Sequence, residues 1–408
     1  MTGRNVRLAE YLKSEDQYNA FVLRAPMAPT GNGSLSGLTF AVKDNICTGG
    51  VRTTASSRLL IDFVPDKDAY VVSMLRSQGG TVAGKTNNHE FALGATNTSS
   101  IFGPARNPLS VDRISGGSSG GSAVAVASGM VDAGIGTDTG GSIRTPSALC
   151  GVAGLKPTTG LIPSDGVIPL STTLDSVGII AREVATLRRV FDAIVPQDAL
   201  RYVKPATKTA RVGLMLFGDD GVSTAVLRNI EDALSEFDVK NISLPVLEER
   251  GRVARRIISA AESAAYHRNW LGSKAEMYFP DVRSVLLSGL ESRSVDYVDA
   301  IASMKLILKE YEAAFSGIDI ILSPTVSTVA PRISDVLGKE TDYKDALLGR
   351  TELFNISLAP SMSVNAGTVD GLPVGLMISG RRFDDYSVLN FAEWMEKKLA
   401  IPPAALPR

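Results

Sequence analysis

The sequence predicts an α/β fold. Short apolar runs of strand length recur at residues 38–42, 81–85 and 133–136. Helical spacing or small-residue runs lie between and after them, at 68–77, 122–130, 142–149 and 184–194. That alternation is the pattern of strand–helix units around a sheet. Polar, glycine-rich segments follow several of the strands, at the carboxyl ends where such folds place functional groups. With 408 residues, 44% apolar and 21% charged, the chain has material for one large core. It reads as a single domain over 1–408, with a core at about 31–195 and 352–400 and a variable, more helical section at about 196–350.

Bulk properties exclude several function classes. Net charge is -1 and no long basic block occurs, so the electrostatic footprint of a nucleic-acid binder is missing. The pairs Arg255-Arg256, Arg381-Arg382 and Lys397-Lys398 read as solvated faces. Cys47 and Cys150 form neither a redox pair nor a metal cluster, and read as small buried apolar groups in a reducing cytosol. No apolar leader follows Met1 and no run of about 18 apolar residues appears, so a cytoplasmic protein without a membrane partner is expected. His89 and His267 are the two histidines, too few for a histidine-rich metal site, and read as structural or exposed.

Taken in order, residues 5–25 show helical spacing up to Pro26 and predict a helix leading into a strand. The strand at 38–42 delivers Lys43-Asp44-Asn45 at its end. The helix at 68–77 stops at Gly79-Gly80. From 86 to 113 the chain is rich in Asn, Thr, Ser, Gly and Pro, which predicts a long ordered loop. Helices are expected at 122–130, at 142–149 with Pro146 in the first turn, and at 184–194. In the middle section, 211–216 and 318–322 read as strands, and 223–237, 253–271 and 295–315 as amphipathic helices. Residues 361–367 and 373–378 resemble paired strands, closed by a helix at 386–399.

Two glycine-serine loops stand out, Gly116-Gly117-Ser118-Ser119-Gly120-Gly121-Ser122 and Gly136-Thr137-Asp138-Thr139-Gly140-Gly141-Ser142-Ile143-Arg144. A Walker-type phosphate loop would need a lysine after the last glycine, and Ser122-Ala123 stands there instead. Residues 117–121 match the nucleophile elbow G-x-S-x-G around Ser119, but that arrangement also needs an acid and a histidine, and His267 sits in a charged helical stretch. Glycine turns with serine caps are the plain structural alternative. Serine becomes nucleophilic only when a base removes its proton; without histidine, a lysine held neutral by burial can do so. Lys43, Lys85 and Lys156 all qualify on chemistry alone.

The chain resembles the amidase signature family. The resemblance runs from about 38 to 178 and returns from 323 to the closing helix. It rests on Val42-Lys43-Asp44-Asn45-Ile46, Gly84-Lys85-Thr86-Asn87, both glycine-serine loops and Gly151-Val152-Ala153-Gly154-Leu155-Lys156-Pro157. It implies the amidase signature fold, a mixed central β-sheet flanked by helices on both faces. It also implies a Ser-cis-Ser-Lys triad, with Lys43 as base, Ser118 as the serine behind a cis peptide bond and Ser142 as nucleophile. The backbone N–H groups of Thr139, Gly140, Gly141 and Ser142 would form the oxyanion hole, with Asp138 and Arg144 as a supporting pair. No metal or organic cofactor is implied.

Two functions share this chemistry. One is a free-standing amidase acting on a small-molecule amide. The other is the glutamine-hydrolysing component of a tRNA-dependent amidotransferase, which passes ammonia to partner proteins. Thr53-Thr54-Ala55-Ser56-Ser57 leans toward the amidotransferase component. The middle section leans toward the free-standing enzyme, because the Arg-Phe-Asp-Gly and Arg-Tyr-Gly segments of that component have no counterpart and 260–268 and 279–283 look like stand-alone amidases. Asn365 and Ala359 also stand where the family usually has proline and glycine. A homodimer, or heteromeric partners in the amidotransferase case, would follow; a silent binding protein on the same fold is the alternative of another class.

Overall fold

The computed structural model describes residues 16–203, 211–218 and 220–401. Eleven strands among them form one mixed sheet: β1 (Phe21–Met27), β2 (Thr39–Lys43), β3 (Thr81–Thr86), β4 (Ala133–Asp138), β5 (Ala153–Lys156), β6 (Ser176–Ala181), β7 (Val212–Leu214), β8 (Val239–Asn241), β9 (Ile320–Pro324), β10 (Ser361–Val369) and β11 (Leu372–Ser379). Their spatial order is β1-β3-β2-β4-β6-β5-β10-β11-β9-β7-β8. Strand β2 runs parallel to both β3 and β4, and β10 and β11 form the expected antiparallel pair.

Alternation along the strands explains the layers. Successive side chains of a strand point to opposite faces. Phe40 and Val42 enter one apolar cluster while Ala41 enters another; Leu376 and Ile378 likewise part from Met377. The first face is covered by α1 (Tyr70–Ser77), α4 (Val184–Ile194), α5 (Gly221–Leu234) and α9 (Asp385–Leu399). The other carries α2 (Gly120–Ala127) and α3 (Arg144–Cys150) near the glycine loops. It also carries α6 (Pro245–Lys274), α7 (Pro280–Glu291) and α8 (Ser294–Ala314). Every residue of α2 except its last is buried. Its Gly/Ala/Val composition lets it lie close to β4 and β6.

Some expectations change. Of the helix expected at 5–25, residues 5–15 lie outside the described residues, 16–20 are irregular and 21–25 belong to β1. Pro26 sits in that strand, at the sheet edge, where a missing N–H costs no ladder bond. Strands β5, β6 and β8 were not expected. The helix expected at 253–271 runs from Pro245 to Lys274, and α7 is additional; each begins with a proline, whose fixed φ suits a first turn. In the middle section the strands expected at 211–216 and 318–322 are β7 and β9, and with β8 they join the common sheet.

Candidate active site

Strand register positions the lysine. In the parallel pair β2/β4, Val42 lies opposite Ile135, so Lys43 comes level with Gly136, next to Thr137 near the end of β4. Lys43 is fully buried. Its Nζ lies 2.7 Å from Ser118 Oγ and 2.8 Å from Thr137 Oγ1. Burial pulls the pKa of Lys43 down to about 7, against the opposing charges of Asp175 and Asp138. Near neutrality an appreciable fraction is therefore uncharged and able to accept a proton.

The glycine-serine loops meet at this lysine. The Gly117–Ser118 peptide is cis. Ser119 N–H donates to Ser142 O at 3.1 Å and Ser119 Oγ donates to Thr137 O at 3.2 Å, which ties one loop to the other. Ser142 is 6% exposed and lines a cleft of roughly 700 Å³, open mouth included, together with Thr139 and Gly140. Gly141 has φ +131°, and a Cβ on it would lie 2.1 Å from Thr351 Oγ1; both conformation and space require glycine.

Asp138 and Arg144 form the brace of the second loop. Arg144 Nη2 and Nε donate to the two Asp138 oxygens at 2.9 and 3.1 Å, and Asn355 Nδ2 donates to Asp138 Oδ1 at 2.7 Å. All three side chains are fully buried. Burial alone would raise the Asp138 pKa; Arg144 and Asn355 hold it well below the usual carboxylate range. Asp138 also accepts from Gly141 N–H at 2.8 Å and Ile143 N–H at 3.1 Å. The Gly141 N–H is thus committed to the brace. Among the described residues, those of Thr139, Gly140 and Ser142 have no protein acceptor. The expected four-donor loop therefore has three free donors.

The rival lysines are engaged elsewhere. Lys85 donates to Ile46 O and Thr53 Oγ1, both at 2.7 Å, and lies 3.3 Å from Asp44. Lys156 donates to Pro157 O at 2.8 Å. Burial, then Arg144, lowers its pKa to about 7 as well, so geometry and not acidity separates it from Lys43. His267 is buried beside Tyr278, 2.9 Å from its hydroxyl, and burial lowers its pKa to about 3. His89 is buried too, with Nε2 2.9 Å from Asp281 Oδ2, at the wall of the cleft.

Several site residues were not foreseen. Arg255, read as part of a solvated pair, is 5% exposed; it reaches the cleft from α6, with Nε 3.0 Å from Glu352. Lys344, Asp281 and Glu340 also line the cleft. Thr351 Oγ1 donates to Gly140 O at 2.7 Å, and with Asn355 supports the loop from a distant segment. Polar Thr351, Glu352 and Asn355 interrupting an apolar stretch before β10 were the available signal. Arg255 had none, since a helix pattern does not say what packs against a charged position.

The profile of the Amidase family matches residues 19–389. A protein of Methanospirillum hungatei, named as the A subunit of glutamyl-tRNA(Gln) amidotransferase, is 32% identical over 419 residues, covering 93% of this chain and 96% of the relative. A crystal structure described as an amidase superposes with TM-score 0.87 at 30% identity, covering 97% of this chain and 95% of that one. The crystal structure of the A subunit of glutamyl-tRNA(Gln) amidotransferase from Thermotoga maritima superposes with TM-score 0.84 at 30% identity, covering 99% and 94%. With sequence and fold matched over nearly its whole length, the chain belongs to the Amidase family and is an amidase-type enzyme acting on amide C–N bonds.

Proposed function

We propose that the enzyme hydrolyses a carboxamide through an acyl-enzyme on Ser142. Neutral Lys43 takes the Ser118 proton while Ser118 takes that of Ser142. Ser142 Oγ attacks the amide carbon, and the oxyanion is held by the free N–H groups of Thr139, Gly140 and Ser142. Such preorganised donors contribute about 3 kcal/mol each. Ser118 passes a proton to the leaving nitrogen, the C–N bond breaks and ammonia departs. Water, deprotonated by the same relay, then cleaves the Ser142 ester. The observation that carries this reading is the buried Lys43–Ser118 contact of 2.7 Å beside a cleft lined by Ser142. Ser142→Ala is expected to abolish both amide turnover and labelling by a neutral fluorophosphonate. Substantial residual turnover would overturn the assignment.

The substrate divides the reading in two. The relatives' names support glutamine as the carboxamide and a heteromeric assembly as the working form, which weighs against the free-standing preference drawn from the middle section. The missing Arg-Phe-Asp-Gly and Arg-Tyr-Gly segments and the amidase neighbour favour the free-standing form. Ammonia release from glutamine by the purified chain, with and without cell extract, distinguishes them. Turnover that requires the extract supports the amidotransferase component; turnover of small amides without it supports the free-standing enzyme.

A further inference from the structure

On the side of the cleft lined by Arg255 and Lys344, a cluster built around Glu352 carries more positive charge than its own carboxylates balance. Arg252, Arg255 and Arg256 all pair with the single carboxylate of Glu352, at 3.3, 3.0 and 2.7 Å. Arg256 also pairs with Asp345. Lys344 stands beside them with no hydrogen bond or ion pair among the described residues. The group thus holds four cations against two carboxylates. Burial, then Arg255 and Arg256, lowers the pKa of Lys344 to about 8, so most of it is still charged at neutral pH.

Arg255 points this surplus at the reaction centre. Its side chain is 6% exposed, and Nε faces Glu352. Among the described residues Nη1 and Nη2 have no acceptor. A Cβ on Gly140 would lie 2.8 Å from Nη1, so the guanidinium rests against the loop that leads to Ser142. Arg255, Lys344, Gly140 and Ser142 line one cleft. Its two other carboxylates have partners: Asp281 accepts from Ser99 at 2.8 Å and meets His89 at 2.9 Å, and Glu340 accepts from Gly338 N–H at 3.0 Å and Thr98 at 3.3 Å. Guanidinium nitrogens without an acceptor at the wall of a cleft call for a planar anion, and a carboxylate matches their fork.

We infer that Arg255 and Lys344 form a carboxylate seat, so that the substrates are amides bearing a carboxylate on the acyl part. This rests on the Ser142 reading above and adds a substrate class to it. The seat would orient the amide over the three free N–H groups and disfavour neutral amides, whose binding would leave the cations unpaired in the cleft.

The test uses isosteric pairs that differ only in charge, succinamate against succinamide and glutaramate against glutaramide. The wild-type enzyme is expected to favour the acid amides at least tenfold in kcat/KM. Arg255→Gln and Lys344→Met should each raise KM for the acid amides about tenfold or more and shrink the preference for each acid amide over its diamide by a similar factor. Labelling of Ser142 by a neutral fluorophosphonate reports that each variant is folded. In a second arm, glutarate should protect Ser142 from labelling in the wild type and not in the variants. Equal use of both members of each pair, or equal glutarate protection in wild type and variants, would overturn the carboxylate seat and leave the amidase reading standing. Failure of the wild type to label at Ser142 would instead overturn the reading on which it rests.

Discussion

At the scale of single residues, the proposed relay depends on keeping one lysine uncharged and one aspartate charged within the same buried region. Burial dominates at Lys43 and lowers its pKa to about 7; direct cationic and amide partners dominate at Asp138 and keep it ionised. The base works only when neutral. Hydrolysis should therefore rise with pH through about 7 and level off above it, measured as kcat/KM on a non-titrating amide; a profile flat from about pH 5.5 to 8.5 would contradict the lysine base. Lys43→Ala should lower kcat roughly 10²–10⁴-fold, the usual contribution of a general base. Asp138→Asn strands Arg144 without its carboxylate, and breaking a buried pair costs about 3–5 kcal/mol. Urea titration should show that loss, with the Ser142 labelling rate falling as the Gly140–Gly141 turn loosens.

At the scale of elements, the candidate site belongs to the end of β2, the loop that follows β4 and the loop that leads into α2. Helix α4 serves only the core: Leu187 is fully buried in the cluster under the opposite face of the sheet. Leu187→Ala should cost about 2–5 kcal/mol of stability while the rate per folded molecule stays unchanged. A parallel fall in that rate would mean that the two faces are more strongly coupled than the layering implies. The same layering explains what was legible in the sequence. Local signatures marked the two glycine-serine loops and three candidate lysines, while Lys43, Ser118 and Ser142 were singled out by the resemblance to the amidase signature family. Strand β5 was not legible, being four residues that start Ala153-Gly154, and β6 was passed over although Val177, Ile179 and Ile180 are β-branched. Arg255 was misread because helical spacing distinguishes apolar from polar faces and cannot reveal Glu352, a partner about a hundred residues away.

At the scale of the whole molecule, one continuous sheet carries everything, from β1 at one edge to β8 at the other. The middle section supplies both the strands beyond β11 and, through α6, the cationic wall of the cleft, so the part of the chain with the fewest local signatures shapes the pocket. The Lys43–Ser118 contact joins positions 75 residues apart and exists only when β2, β4 and the first glycine loop are docked together. Its consequence is diagnostic as well. Covalent capture of Ser142 counts correctly assembled molecules one by one, so in a denaturant series the labelled fraction should fall along the same curve as the loss of tertiary structure. Divergence of the two curves would expose a state in which the frame persists after the catalyst has come apart.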